Sequence, residues 1–124
     1  MSAPILKHGA YLIVMIQSAL SDADLQKLRV SVVERVGKFR SKGLIVDVTA
    51  LDVMDSFATR TVRNISHILR LRGADTVIVG IQPEVAFAMT ELGLTLVGVD
   101  TALDLEEGLA LLDQRAKEAD GRGR

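Results

Sequence analysis

Asp55 and Ser56 stand side by side where a polar loop gives way to an amphipathic stretch from about Phe57 to Arg72. A hydroxyl at a helix start lies beside N–H groups that have no intrahelical partner, at the positive end of the helix dipole. It is a place where a phosphate can be accepted, and where its charge would change what the surface binds. Thr59 and Thr61 follow on the first turns as rival acceptors. The plainer role for Ser56 is that of a helix cap, worth about 1 kcal/mol. The residues alone do not rank the three hydroxyls.

Other side chains with chemistry are few. His8 falls in a turn and His67 in a helical stretch. Ser66 adjoins His67, but consecutive helix residues point in different directions, so the two make no nucleophile–base pair. Asp47, Asp52 and Asp55 cluster near the end of a strand, where open α/β sheets bind ligands, and carboxylate oxygens suit Mg²⁺. A small nucleotide- or metal-binding enzyme using this Asp47–Asp55 loop is one reading. The favoured one gives Asp47 and Asp52 to Asx-type turns and Asp55 to the support of a helix start. A phospho-aspartate receiver needs an acidic pair after its first strand and a lysine near its last. Gln17-Ser18 and Gly98-Val99 stand there instead. The run Gly37-Lys38-Phe39-Arg40-Ser41-Lys42-Gly43 mixes phosphate-loop residue types, but it follows a helix and precedes a strand, the reverse of the order a P-loop requires.

Alternating elements must position these groups. Ile5–Lys7 and Tyr11–Ile16 read as a hairpin around His8-Gly9. Ser21 with Asp24 has capping-box spacing, and Leu25, Leu28, Val32 and Val36 mark the inner face of a helix ended by Gly37. Leu44–Val48 is a strand. The helix from Ser56 to Arg72 buries Val62, Ile65 and Leu69, with Gly73 as its stop. Thr76–Val79 is a strand. Pro83 opens a helix with Val85, Met89 and Leu92 inward and Gly93 at its end. Leu94–Val99 is the expected last strand. Thr101 with Asp104 resembles a second capping box, before a helix carrying Leu105, Leu109 and Leu112. The order ββαβαβαβα predicts an α/β fold: a mixed, mostly parallel sheet, an N-terminal antiparallel hairpin and four amphipathic helices.

Composition narrows function. At 124 residues and 48% hydrophobic, the chain can bury one full core. Residues 1–116 are expected to form a single domain. Residues 117–124 are expected to be a flexible tail, with Asp120 to Arg124 frayed and Arg122 and Arg124 solubilising. Cysteine is absent, which excludes disulfides and thiolate chemistry and suits a cytoplasmic location. The start Met1-Ser2-Ala3-Pro4 lacks signal-peptide character, and no apolar run nears the roughly 20 residues of a membrane span. With 15 basic and 16 acidic residues and only four aromatic ones, nucleic acid is not the expected ligand. No cofactor is expected.

Several stretches together carry a resemblance. They are Asp47-Val48-Thr49, Met54-Asp55-Ser56-Phe57, Gly80-Ile81-Gln82-Pro83-Glu84-Val85-Ala86, Glu91-Leu92-Gly93 and Thr101-Ala102-Leu103-Asp104-Leu105-Glu106. With the order of elements, they make the chain similar, from about Ile5 to Leu112, to the STAS family, the anti-sigma-factor-antagonist fold. Within that family it resembles the single-domain scaffold branch of the bacterial stressosome.

The resemblance implies a non-enzymatic scaffold that co-assembles with sensor-bearing STAS paralogues into a large homo- and hetero-oligomer. It also implies a serine/threonine switch kinase, held by the unmodified scaffold and released once the scaffold is phosphorylated. The matching acceptor is Ser56, ahead of Thr59 and Thr61. The partner surface would comprise Asp55, Ser56, Phe57, Thr59, Arg60 and Arg63. The absence of a sensor domain before Ile5 argues against a sensor paralogue. A free-standing antagonist that binds an anti-sigma kinase through the same helix is the alternative within the fold.

Overall fold

A computed structural model describes residues 3–122. Met1, Ser2, Gly123 and Arg124 lie outside the described residues, and with them the first residues of the expected non-signal start and the end of the expected tail. Along the chain run β1 (Ile5–His8), β2 (Tyr11–Met15), α1 (Asp22–Phe39), β3 (Gly43–Asp47) and α2 (Ser56–Leu71). They are followed by β4 (Asp75–Val79), α3 (Pro83–Glu91), β5 (Asp100–Ala102) and α4 (Leu105–Arg122).

The five strands form one sheet in the order β1-β2-β3-β4-β5. β1 runs antiparallel to β2, and the remaining pairs are parallel. Adjacent parallel strands need a crossover, which α1, α2 and α3 supply. β2 and β3 have buried residues on both faces, as a covered parallel sheet requires. One face carries Leu44, Val46 and Ile78 against Leu28, Val32, Ile65, Leu69 and Val85 from α1, α2 and α3. The opposite face carries Ile13, Ile45, Val77 and Val79 against Leu112 of α4.

The inner faces of α1 and α2 are those the 3.6-residue period indicates. Four local expectations change. α1 does not stop at Gly37 but continues to Phe39, where Arg40 takes the left-handed conformation (φ 52°) and the Ser41 N–H reaches the Val36 carbonyl. Gly37 has a packing role instead: a Cβ there would come within 2.9 Å of the Arg72 guanidinium.

The last strand is not Leu94–Val99 but Asp100–Ala102, in register with Val77 to Val79. Gly93 immediately precedes the earlier segment and Gly98 lies within it, both at positive φ. Its Leu94, Leu96 and Val99 pack on the core from a loop. Leu92 faces solvent rather than the core. Finally, Asp104 itself caps α4, accepting from the Glu107 N–H at 2.9 Å, while Thr101 belongs to β5. α4 then runs to Arg122.

Candidate functional site

The C-terminal ends of β3 and β4 open into two loops that meet above the sheet. In the first, Asp47 Oδ1 accepts both the Thr49 N–H (2.9 Å) and the Thr49 hydroxyl (2.6 Å), an Asx-type turn. In the second, Gln82 Nε2 donates to the Thr49 carbonyl at 2.7 Å. Leu51 and Met54 are buried and anchor the first loop, leaving Asp52 and Val53 exposed between them. The loop therefore reaches α2 held at both ends.

Asp55 and Ser56 divide the roles at the helix start. Asp55 is the N-cap: its backbone is extended and its Oδ1 accepts the Ala58 N–H at 2.8 Å. Ser56 is the first helical residue, so it is not the cap the simplest reading of a serine there would make it. It is exposed, and among the described residues its hydroxyl has no hydrogen-bond partner.

The two threonines are placed differently. Thr59 is 1% exposed and donates to the Asp55 carbonyl at 2.9 Å. Thr61 is 7% exposed and donates to the Phe57 carbonyl at 2.8 Å. Both hydroxyls turn back on their own helix.

The remaining residues expected at the site separate as well. Phe57 is half-buried and Arg60 is exposed. Arg63 reaches across to the loop before β5, where its guanidinium donates to the Thr95 carbonyl (2.9 Å) and hydroxyl (3.3 Å). Behind Asp55 lies a small pocket walled by Ile16, Leu20, Leu25, Met54 and Val62.

Sequence reasoning missed the contribution of α1. Arg29 crosses to α2 and donates to Asn64 Oδ1 at 3.1 Å, so Arg29, Arg60 and Arg63 share one groove with Phe57 and His67. Nothing in the spacing of α1 marks Arg29 for that place. His67 has no nucleophile beside it, because Ser66 is buried and its hydroxyl donates to the Gly98 carbonyl. His8 is exposed at the end of β1.

Among the described residues, no group of three or more His, Asp and Glu side chains converges as a metal site. Asp47 and Asp55 both act on backbone N–H groups. The run from Gly37 to Gly43 spans the end of α1 and the start of β3, and so lies at the other end of the sheet from Ser56. Among the described residues, no helix is long and apolar enough to cross a membrane.

Among the described residues, the first turns of α2 thus present the unbonded Ser56 hydroxyl beside a basic groove. Known proteins share the fold that carries this arrangement. A Moorella thermoacetica RsbS variant carrying a serine-to-glutamate substitution is 37% identical, with TM-score 0.80, covering 93% of this chain and 97% of that one. A chain from a structure of the stressosome, described as a signal integration and transduction hub, is also 37% identical, with TM-score 0.74 and 91% and 98% covered. The RsbT co-antagonist protein RsbRA of Bacillus subtilis is 29% identical over 110 residues, which is 88% of this chain. The chain spans only 40% of the length of that relative. The unphosphorylated anti-sigma factor antagonist SpoIIAA, 14% identical with TM-score 0.68, shares the fold. The model of the STAS domain matches residues 3–108, so the chain belongs to the STAS family.

Proposed function

We propose that the STAS unit of residues 1–116 is a non-enzymatic scaffold of a cytoplasmic stressosome, and that phosphorylation of Ser56 controls its hold on a serine/threonine switch kinase. The likeness to RsbS, to a stressosome chain and to RsbRA supports the general role. Sensor-bearing STAS paralogues are its partners in a large assembly. The observation that carries the choice of acceptor is the freedom of the Ser56 hydroxyl, exposed and with no capping duty, beside the buried and internally bonded Thr59 and Thr61.

Phosphorylation at Ser56 adds about −1.5 to −2 charge. At the first turn the helix dipole returns about 0.3–1 kcal/mol, opposed by the neighbouring Asp55 carboxylate. The fold therefore changes little. The interface changes far more. A kinase packed over Ser56 would have to desolvate a dianion, and an unpaired buried charge costs about 3–5 kcal/mol. At about 1.4 kcal/mol per tenfold, affinity falls several hundred-fold or more.

The test is kinase affinity for the unmodified chain, Ser56→Ala and Ser56→Asp, with intact-mass and peptide analysis after incubation with kinase and ATP. The expected result is full binding by Ser56→Ala, weakened binding by Ser56→Asp, and one phosphate mapped to Ser56. Equal, undiminished binding by both variants, or a phosphate mapped to Thr59 or Thr61, rejects the proposal.

A further inference from the structure

The groove between α1 and α2 is strongly basic and has no internal counter-charge. It holds about 370 Å³ and is lined by Arg29, Phe57, Arg60, Arg63, Asn64 and His67. α2 carries no acidic residue along its whole length. Among the described residues, none of Arg29, Arg60 and Arg63 forms an ion pair; Arg29 and Arg63 bond only neutral oxygens, and Arg60 bonds nothing. Three guanidinium groups in one groove repel one another and raise the local potential, and an incoming carboxylate relieves both.

From this we infer that the α1–α2 groove receives an acidic segment of the switch kinase, its carboxylates on Arg29 and Arg60 and an apolar side chain against Phe57. The inference rests on the switch reading above and deepens it. A peptide segment fits this groove better than other anions do. The chain as a whole is net negative, so a nucleic acid tracking beyond the groove would meet repulsion. The half-buried Phe57 offers an apolar wall within a recess, a feature a flat lipid surface does not use. Arg60 also stands four residues after Ser56, at the spacing of helix ion pairs. A phosphate on Ser56 would add negative charge on the same face as Arg60 and weaken the pull of that guanidinium on the partner's carboxylate.

The experiment uses the full chain and the switch kinase of the same genome, with Ser56 intact. Kinase affinity is measured for the unsubstituted chain, for Arg29→Gln with Arg60→Gln, and for Arg60→Lys, over a series of salt concentrations. The expected result is affinity at least about tenfold weaker for the double variant, partial retention by Arg60→Lys, and a decline with salt that flattens in the double variant. Melting temperature serves as the folding control; Arg60→Lys retains the charge should the double variant fold poorly.

Full binding by a folded double variant, with Ser56→Asp still weakened, overturns the groove and leaves the switch standing. No binding by the unsubstituted chain overturns both. Phosphatidylserine vesicles or an oligonucleotide are run in parallel. Capture of either that is lost in the double variant, while kinase binding is unchanged, also overturns the inference.

Discussion

Gly80 lies so close to Thr49 that a Cβ on Gly80 would overlap the Thr49 hydroxyl. Gly80 also holds φ +81°, a conformation that side chains resist. Thr49 is in turn fixed by Asp47 and by Gln82. Asp47-Val48-Thr49 and Gly80-Ile81-Gln82-Pro83, far apart in sequence, are thus two halves of one clasp beneath the Ser56 loop. Gly80→Ala is expected to cost roughly 2–4 kcal/mol, from left-handed strain and overpacking together. Thr49→Gly combined with Gly80→Ala should recover the overpacking share but not the strain, giving non-additive urea midpoints. Strict additivity would show that the two residues do not press on each other.

Asp55 and Ser56 are adjacent polar residues that differ sharply in what they hold. Asp55→Ala should lose about 1 kcal/mol of stability, because the Ala58 N–H loses its acceptor. Asp55→Asn should retain most of it. Ser56→Ala should stay within about 0.5 kcal/mol of the unsubstituted chain. Urea unfolding of the three variants checks this, and a Ser56→Ala loss as large as that of Asp55→Ala would make Ser56 the cap. That near-neutrality is what lets Ser56→Ala report on kinase binding alone.

Periodic burial was the legible part of the fold. Leu25, Leu28, Val32 and Val36 repeat at helical spacing and are buried as that spacing requires. β5 was missed because Asp100-Thr101-Ala102 is short and polar; backbone pairing with β4 makes it a strand, and no side-chain pattern announces that. Leu94 and Leu96 alternate like strand residues, yet glycines at positive φ turn their segment into a loop. At the site, the sequence pointed to the helix start but not to which of two adjacent cap formers takes the cap. That choice depends on the extended backbone at Asp55. Arg29 was invisible because only the packing of α1 on α2 brings it to Asn64.

Thr76 carries a buried hydroxyl without a partner. It is 3% exposed on β4, and among the described residues its Oγ1 makes no hydrogen bond. Thr76→Val keeps the shape and removes the desolvated oxygen, so it should stabilise the fold by about 1–2 kcal/mol. Thr76→Ser keeps the oxygen, loses the methyl and should destabilise. Chemical denaturation of both variants tests the pair. A stabilised serine variant would contradict the assignment.

Tyr11, the chain's only tyrosine, gives a clean optical probe of the packing between β2 and α4. Its hydroxyl donates to Asp113 Oδ1 at 2.5 Å. Burial first, and then the hydrogen bond to Asp113 and its negative charge, push the phenol up to about 12 from an ordinary 10.0. Below about pH 10 both the folded and unfolded chains hold this proton, and the contribution to stability is complete. Between about 10 and 12 the unfolded chain releases it while the folded chain keeps it, so stability falls as pH rises. Tyrosinate absorbance should therefore titrate near 12 in the folded protein, and urea midpoints should decline across the same window. Asp113→Asn removes the charge but leaves an acceptor and the burial, so its titration should move down yet remain above the ordinary value. A folded-state midpoint at the ordinary value in the unsubstituted chain would mean that α4 does not seal Tyr11 against the sheet.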